Sequence, residues 1–129
     1  MPGNQVLLDS CIWIDFFRKG NASHLDVVEQ LLDERRVTMC GIVEMEILAG
    51  ARPAQQKLIK DLFAVLSYYE TSRGIFQAAG KNLFQLRSRG VTVPSSDAVI
   101  AALCLQYDLE LMTTDRHFDH FENLKRFRF

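Results

Sequence analysis

Residues 5–18 read QVLLDSCIWIDFFR. Gln5–Asp9 is a short apolar run that ends in an acid, as a buried strand does. Ser10–Arg18 then reads as a short helix rich in Ile12, Trp13, Ile14, Phe16 and Phe17, and Gly20 and Asn21 break it. The same alternation continues along the chain. Ala22–Glu34 is amphipathic, with Leu25, Val28, Leu31 and Leu32 at helical spacing. Val37–Cys40 is a second apolar strand, and Gly41–Gly50 a helix with a glycine stop. Pro53 opens a helix to about Leu66. Ser67–Glu70 reads as a third strand, and Thr71–Arg89 as a long helix that stops at Gly90. Val91–Val93 reads as a fourth strand, Ser95–Tyr107 as a helix and Leu109–Thr113 as a further strand. A turn and short helix at Asp115–Phe121 and an edge strand at Leu124–Phe129 complete the chain. Strands that alternate with helices predict an α/β/α sandwich with a mostly parallel sheet. Ligands of such sheets bind beyond the carboxyl ends of the strands, where strand order reverses.

The 129 residues suit one domain, and nothing in them resembles a linker. Hydrophobic residues make up 48% and charged residues 24%, a globular balance. Fifteen Lys and Arg against sixteen Asp and Glu give a net charge of -1, which excludes a uniformly basic nucleic-acid binder. The longest apolar run, Ala98 to Leu105, is far short of the about 20 residues of a membrane span. The opening MPGNQVLLD has no basic stretch followed by an apolar core, so no signal peptide is read. Cys11, Cys40 and Cys104 are scattered in apolar surroundings and read as buried thiols of a reducing cytoplasm.

Four carboxylates carry the functional reading. Asp9 ends the first strand, Asp115 follows the strand LELMT, and Asp97 opens a helix that is apolar almost throughout. Glu46 lies in a helix that starts at the same sheet edge, although periodicity does not choose between it and Glu44. Each Asp alone fits a helix cap or a first-turn acid. Together at one edge they repel, by roughly 4 kcal/mol per pair at ~4 Å and an effective dielectric near 20. A divalent cation removes that cost, and an all-oxygen ligand set points to Mg²⁺ or Mn²⁺ and not to Zn²⁺. Outside these four acids the chain holds twelve acidic and fifteen basic residues. Arg35, Arg36, Arg87, Arg89, Arg116, Lys125, Arg126 and Arg128 are therefore candidate phosphate contacts.

At this point the chain resembles the PIN-domain ribonucleases, and among them the VapC toxins of prokaryotic toxin–antitoxin pairs. LLDSCIWIDFF (7–17) resembles the opening strand, first acid, hydroxyl residue and aromatic helix of the family. IVEMEILAG (42–50) resembles the helix in which a Glu precedes a Gly by four positions, which selects Glu46 over Glu44. VPSSDAVIAALCLQYDLELMTTDRHF (93–118) resembles the third block, with its Asp, Ile-Ala-Ala helix and Thr-x-Asp. The resemblance covers essentially the whole chain, residues 1–129, and implies a Rossmann-like fold. It assigns the acidic cluster to Asp9, Glu46, Asp97 and Asp115, with Asp9, Asp97 and Asp115 holding Mg²⁺ and Ser10 and Thr113 as supporting hydroxyls. The implied reaction is metal-assisted phosphodiester hydrolysis of RNA that leaves a 5′-phosphate, with Glu46 orienting the attacking water. Many relatives carry another acid two positions after the fourth, where this chain has His117, so one ordered ion is expected and not two. His117 and His120, without a partner thiol, read as exposed turn residues.

The resemblance also implies a homodimer in the cytoplasm and a VapB-like antitoxin. Trp13, Phe16 and Phe17 crowd a short helix, and part of that cluster is expected to be exposed in the lone chain as an antitoxin contact. Two other classes compete. A phosphoaspartate receiver domain needs adjacent acids after the first strand, and the sequence there is Asp9-Ser10-Cys11. A dehalogenase-like phosphatase needs Asp-x-Asp, and Cys11 holds the second place. The third alternative is a non-catalytic RNA-binding module on the same fold, against which stands the presence of all four acids.

Overall fold

A computed structural model of the chain describes residues 4–19 and 22–129, without the side chains of positions 22 and 23. Four strands, β1 (Val6–Leu8), β2 (Val37–Cys40), β3 (Ser67–Tyr69) and β4 (Glu110–Met112), pair in the order β3-β2-β1-β4, every pair parallel. Six helices connect them: α1 (Ser10–Arg18), α2 (Ala22–Asp33), α3 (Gly41–Gly50), α4 (Gln56–Ala64), α5 (Arg73–Ser88) and α6 (Ser95–Tyr107). Val6, Leu7 and Leu8 are all inaccessible to solvent, although alternate side chains leave a strand on opposite faces. Helices therefore cover both faces of the sheet, the arrangement that parallel strands require. The expected α/β class and its parallel sheet are what the chain adopts. Among the described residues no helix is long and apolar enough to cross a membrane. The expected break at Gly20 and Asn21 lies outside the described residues.

The central helix is α6. Every residue from Asp97 to Cys104 is buried, so it has no solvent face over that stretch. It packs against α5, whose buried stripe is Ile75, Ala79 and Leu86. The hydroxyl of Ser72 starts α5 by accepting from the backbone N–H of Ile75 at 3.3 Å. Ser72→Ala is expected to lower stability by about 1 kcal/mol, read as a shift of the urea midpoint at constant m-value.

Two expected strands do not form. Residues 91–93 are a loop, and the chain entering it is committed to ending α5: Val91 N–H donates to Leu86 O at 2.9 Å and Gly90 N–H to Arg87 O at 2.9 Å. Gly90 sits at φ +79°, a conformation that favours glycine. Val93 of this segment is buried, and Val91 packs partly buried against the core. The tail 124–129 makes a single parallel bridge, Leu111 with Arg126, through Leu111 N–H to Lys125 O and Phe127 N–H to Leu111 O at 2.9 Å each. The helix from Pro53 begins as a 3-10 turn, Pro53–Gln55, before α4. The segment after Asp115 is also a 3-10 turn, Arg116–His120.

Candidate metal centre

Leu8 pairs with Met112, so the residues that leave β1 and β4 emerge side by side, and Asp9 N–H donates to Met112 O at 3.0 Å. Here the sheet order turns, since β2 and β3 lie on one side of β1 and β4 on the other. Asp9 caps α1, with Oδ1 accepting from Ser10 N–H at 2.8 Å. Its Oδ2 accepts from the hydroxyl of Thr113 at 2.7 Å and lies 3.6 Å from Cys11 Sγ. The same Thr113 hydroxyl accepts from Asp115 N–H at 3.0 Å. Asp115 caps its 3-10 turn, with Oδ1 accepting from His117 N–H at 2.9 Å. The ring of that residue then reaches back: His117 Nδ1 lies 3.1 Å from Asp97 Oδ2 and 3.0 Å from Asp115 Oδ1. On the other side of Asp9, the Ser10 hydroxyl donates to Glu46 Oε1 at 2.8 Å. One continuous path of contacts thus runs Glu46, Ser10, Asp9, Thr113, Asp115, His117, Asp97. It joins the ends of two strands to the starts of α1 and α6 and to the body of α3.

Burial dominates the electrostatics. Asp97 is 7% exposed, and burial, then the nearby Asp115 and Asp9 carboxylates, push its carboxyl up to about 6, against the opposing pull of His117. At neutral pH such a group is mostly ionised at an energetic cost, which positive charge beside it would relieve. Among the described residues, the one set of three potential ligand side chains whose donor atoms lie within 4.8 Å of one another is Asp97, Asp115 and His117. This donor set fits a divalent cation.

The structure brings all four sequence-derived acids to one edge of the sheet. Asp97 and Asp115 face each other, and Asp9 is adjacent but absent from the three-donor set. Both oxygens of Asp9 are already engaged, by the Ser10 amide and by the Thr113 hydroxyl. Glu46 is exposed and enters through Ser10, while Glu44 is half-buried and, among the described residues, has no hydrogen bond to the path. His117 is the exposed turn residue that the sequence predicts, but the sequence does not place its ring against the acids. Its ring is half exposed, but its Nδ1 lies against two carboxylates. The available signal was its position two residues after Asp115. Cys11 is also no simple buried thiol, since it is partly exposed and contacts Asp9 and Thr113, whereas Cys40 and Cys104 are buried.

Two further expectations need correction. Trp13 is fully buried, stacked on Phe17 and edge-on to Phe63 at 4.9 Å, so it is core and offers no contact surface. Phe16 and Phe17 are half-buried and remain available. Arg36 is no free phosphate contact: it donates to Asn4 O at 2.9 Å, pairs with Glu34 at 3.2 Å and lies over the Phe127 ring. Lys125 and Arg126 pair with Asp108 and Asp119. A cleft of about 270 Å³ opens beside Glu46, lined by Ile14, Phe17, Ile47 and Ile59 with Arg18 and Arg52.

Comparison with known proteins agrees with this fold. The family model described as the PIN domain matches residues 6–124. The chain is 29% identical over 126 residues to the VapC ribonuclease Mb1587 of Mycobacterium bovis, covering 88% of this chain and 89% of that protein. It is 26% identical over 120 residues to ribonuclease VapC19 of Mycobacterium tuberculosis, covering 92% and 96%. Its fold is similar to that of VapBC2 from Rickettsia felis, solved bound to a promoter DNA fragment, with a TM-score of 0.79 at 20% identity over 95% of this chain and 96% of that one. VapBC-1 from nontypeable Haemophilus influenzae is similar at a TM-score of 0.76 and 22% identity, over 95% and 96%.

Proposed function

The chain belongs to the PIN-domain family, and from that premise we propose that it is a metal-dependent endoribonuclease, the toxin of a VapBC-type toxin–antitoxin pair. The observation that carries the reading is the unbroken run of contacts from Glu46 to Asp97, which gathers four acids from separate parts of the chain at the sheet's switch point. Similar proteins named as VapC ribonucleases, and similar folds solved as VapBC complexes, support it. Residues 1–129 form one catalytic domain in this reading.

Asp97 and Asp115 hold a divalent cation, Mg²⁺ or in its place Mn²⁺, with Asp9 completing the charge around it. A cation in that place supplies the positive charge that steadies a phosphoryl oxygen and acidifies a bound water. The chain's own residues do the rest. Thr113 locks the Asp9 carboxylate and the Asp115 backbone into one geometry. Ser10 aims the Glu46 carboxylate at the site's open side, where it orients water for attack on the phosphodiester. The cleft beside Glu46 takes flanking RNA, with Arg18 and Arg52 toward phosphates. A VapB-like antitoxin covers the exposed parts of Phe16 and Phe17, and the toxin works in the cytoplasm as a homodimer.

Incubation with total cellular RNA and Mg²⁺, followed by mapping of new 5′ ends, tests the reading. Discrete cut sites that vanish with a chelator and in Asp97→Asn are the expected result. RNA binding without cleavage under either Mg²⁺ or Mn²⁺ would leave only a binding module.

A further inference from the structure

We propose that His117 is a metal ligand of this centre, and that its ring nitrogen makes the donor set mixed nitrogen and oxygen, so that the site prefers Mn²⁺ to Mg²⁺. The proposal rests on the nuclease reading only for the place of the cation.

Three observations carry it. First, the ring is anchored at its root: His117 N–H is bound to Asp115 Oδ1 at 2.9 Å, which fixes the backbone that presents the imidazole. Second, Nδ1 is over-subscribed. It faces Asp97 Oδ2 at 3.1 Å and Asp115 Oδ1 at 3.0 Å, yet one ring nitrogen carries at most one proton. Only the Asp97 oxygen meets it in a hydrogen-bonding direction. The Asp115 oxygen is left against the nitrogen with no proton between them, which is unfavourable until positive charge is shared among the three atoms. Third, the spacing is that of a coordination shell. Adjacent ligands of an octahedral ion with bonds of about 2.1 Å are separated by about 3 Å, as Nδ1 is from each carboxylate oxygen, and all three donors lie within 4.8 Å of one another.

The tautomer follows from the surroundings. The ring is 47% exposed, and Nε2 has no protein partner among the described residues. With a cation in place, Nε2 would keep its proton toward water and Nδ1 would turn a lone pair to the ion. Mg²⁺ selects oxygen ligands and surrenders water reluctantly, whereas the transition-metal series accepts imidazole. An aspartate at this position would restore an all-oxygen set.

The test uses the metal alone, without RNA. Mn²⁺ binding is followed by electron paramagnetic resonance in competition with Mg²⁺, on wild type, His117→Asp and His117→Ala. Pulsed measurements on protein carrying ¹⁵N-histidine then look for hyperfine coupling. The expected result is ¹⁵N coupling in wild type that is lost in both variants, with the preference for Mn²⁺ over Mg²⁺ falling about tenfold or more in His117→Asp. Absence of coupling, or Mn²⁺ binding to His117→Ala as tight as to wild type, overturns the proposal. The two readings fail separately. Nitrogen-coupled Mn²⁺ with no RNA cleavage rejects the nuclease and keeps the ligand, and cleavage without coupling does the reverse.

Discussion

Asp97→Asn should abolish cleavage and at the same time make the metal-free protein more stable. The two effects have one origin. Asp97 is buried at the start of α6 with the Asp115 and Asp9 carboxylates near it, and its carboxyl sits at about 6, above the ordinary 3.8. The folded chain therefore keeps a proton on Asp97 over a range where the unfolded chain has released it. Stability from this group is complete below about pH 4 and is lost as pH rises through about 6. Above that, ionised Asp97 is a standing penalty, of up to about 3 kcal/mol at 1.36 kcal/mol per pKa unit. Asparagine does not titrate, and its side-chain oxygen still accepts from His117. The stability difference between variant and wild type should be small at pH 4 and full by pH 7, a rise in Tm of several degrees for a chain of this size. Saturating Mn²⁺ should narrow or reverse it, because the cation stabilises only the protein that binds it. Cleavage should fall at least about 100-fold, since the lost charge is at the centre of the site. A variant less stable than wild type at pH 7, or a difference that ignores pH, would show that Asp97 is not the strained acid of the cluster.

How much of this was legible in the sequence follows from what each feature depends on. β1 and β4 could be read because each is a short apolar run that ends near an acid, and a parallel sheet sends such ends to one edge. Local signals reach that far. They did not separate Glu46 from Glu44, because α3 is apolar nearly all round; the choice came from a four-residue spacing, and its physical reason is the Ser10 hydroxyl from another helix. Trp13 looked like surplus aromatic surface on a short helix. It is core because Phe63 of α4, 50 residues away, closes over it, and no local window contains that contact. Residues 91–93 have the composition of a strand, but the Val91 N–H is spent on ending α5. His117 enters the site through a tight turn that sequence alone does not aim. Where the sequence reading failed, long-range packing or turn geometry decided the outcome.

Thr113→Val tests whether the cluster is held together by one hydroxyl. Valine keeps threonine's β-branched shape and loses only its hydroxyl, so the packing at the end of β4 should persist while two hydrogen bonds vanish. The first is the 2.7 Å donation to Asp9 Oδ2, and the second the 3.0 Å acceptance from Asp115 N–H. Thr113 and Asp9 are each 6% exposed, so water does not readily replace either partner. Leaving a buried carboxylate oxygen and an amide unpaired costs about 1–3 kcal/mol each, and the loss in unfolding free energy is expected at about 3 kcal/mol. Without the hydroxyl, Asp9 and Asp115 are no longer tied to a common point, and the spacing that suits a cation relaxes. Metal affinity and cleavage should each drop about 10- to 100-fold, as when a partner that orients a ligand is removed. Thr113→Ser keeps the hydroxyl and gives up one methyl, so cleavage and metal affinity should return nearly to wild type, with stability short by about 1 kcal/mol. The serine rescue separates the hydroxyl's role from general damage to the core. The denaturation arm needs neither RNA nor metal, so the hydroxyl's structural part stands or falls by itself. If Thr113→Val keeps both its stability and its metal affinity, the acids are positioned by the strand ends alone, and the hydroxyl is incidental.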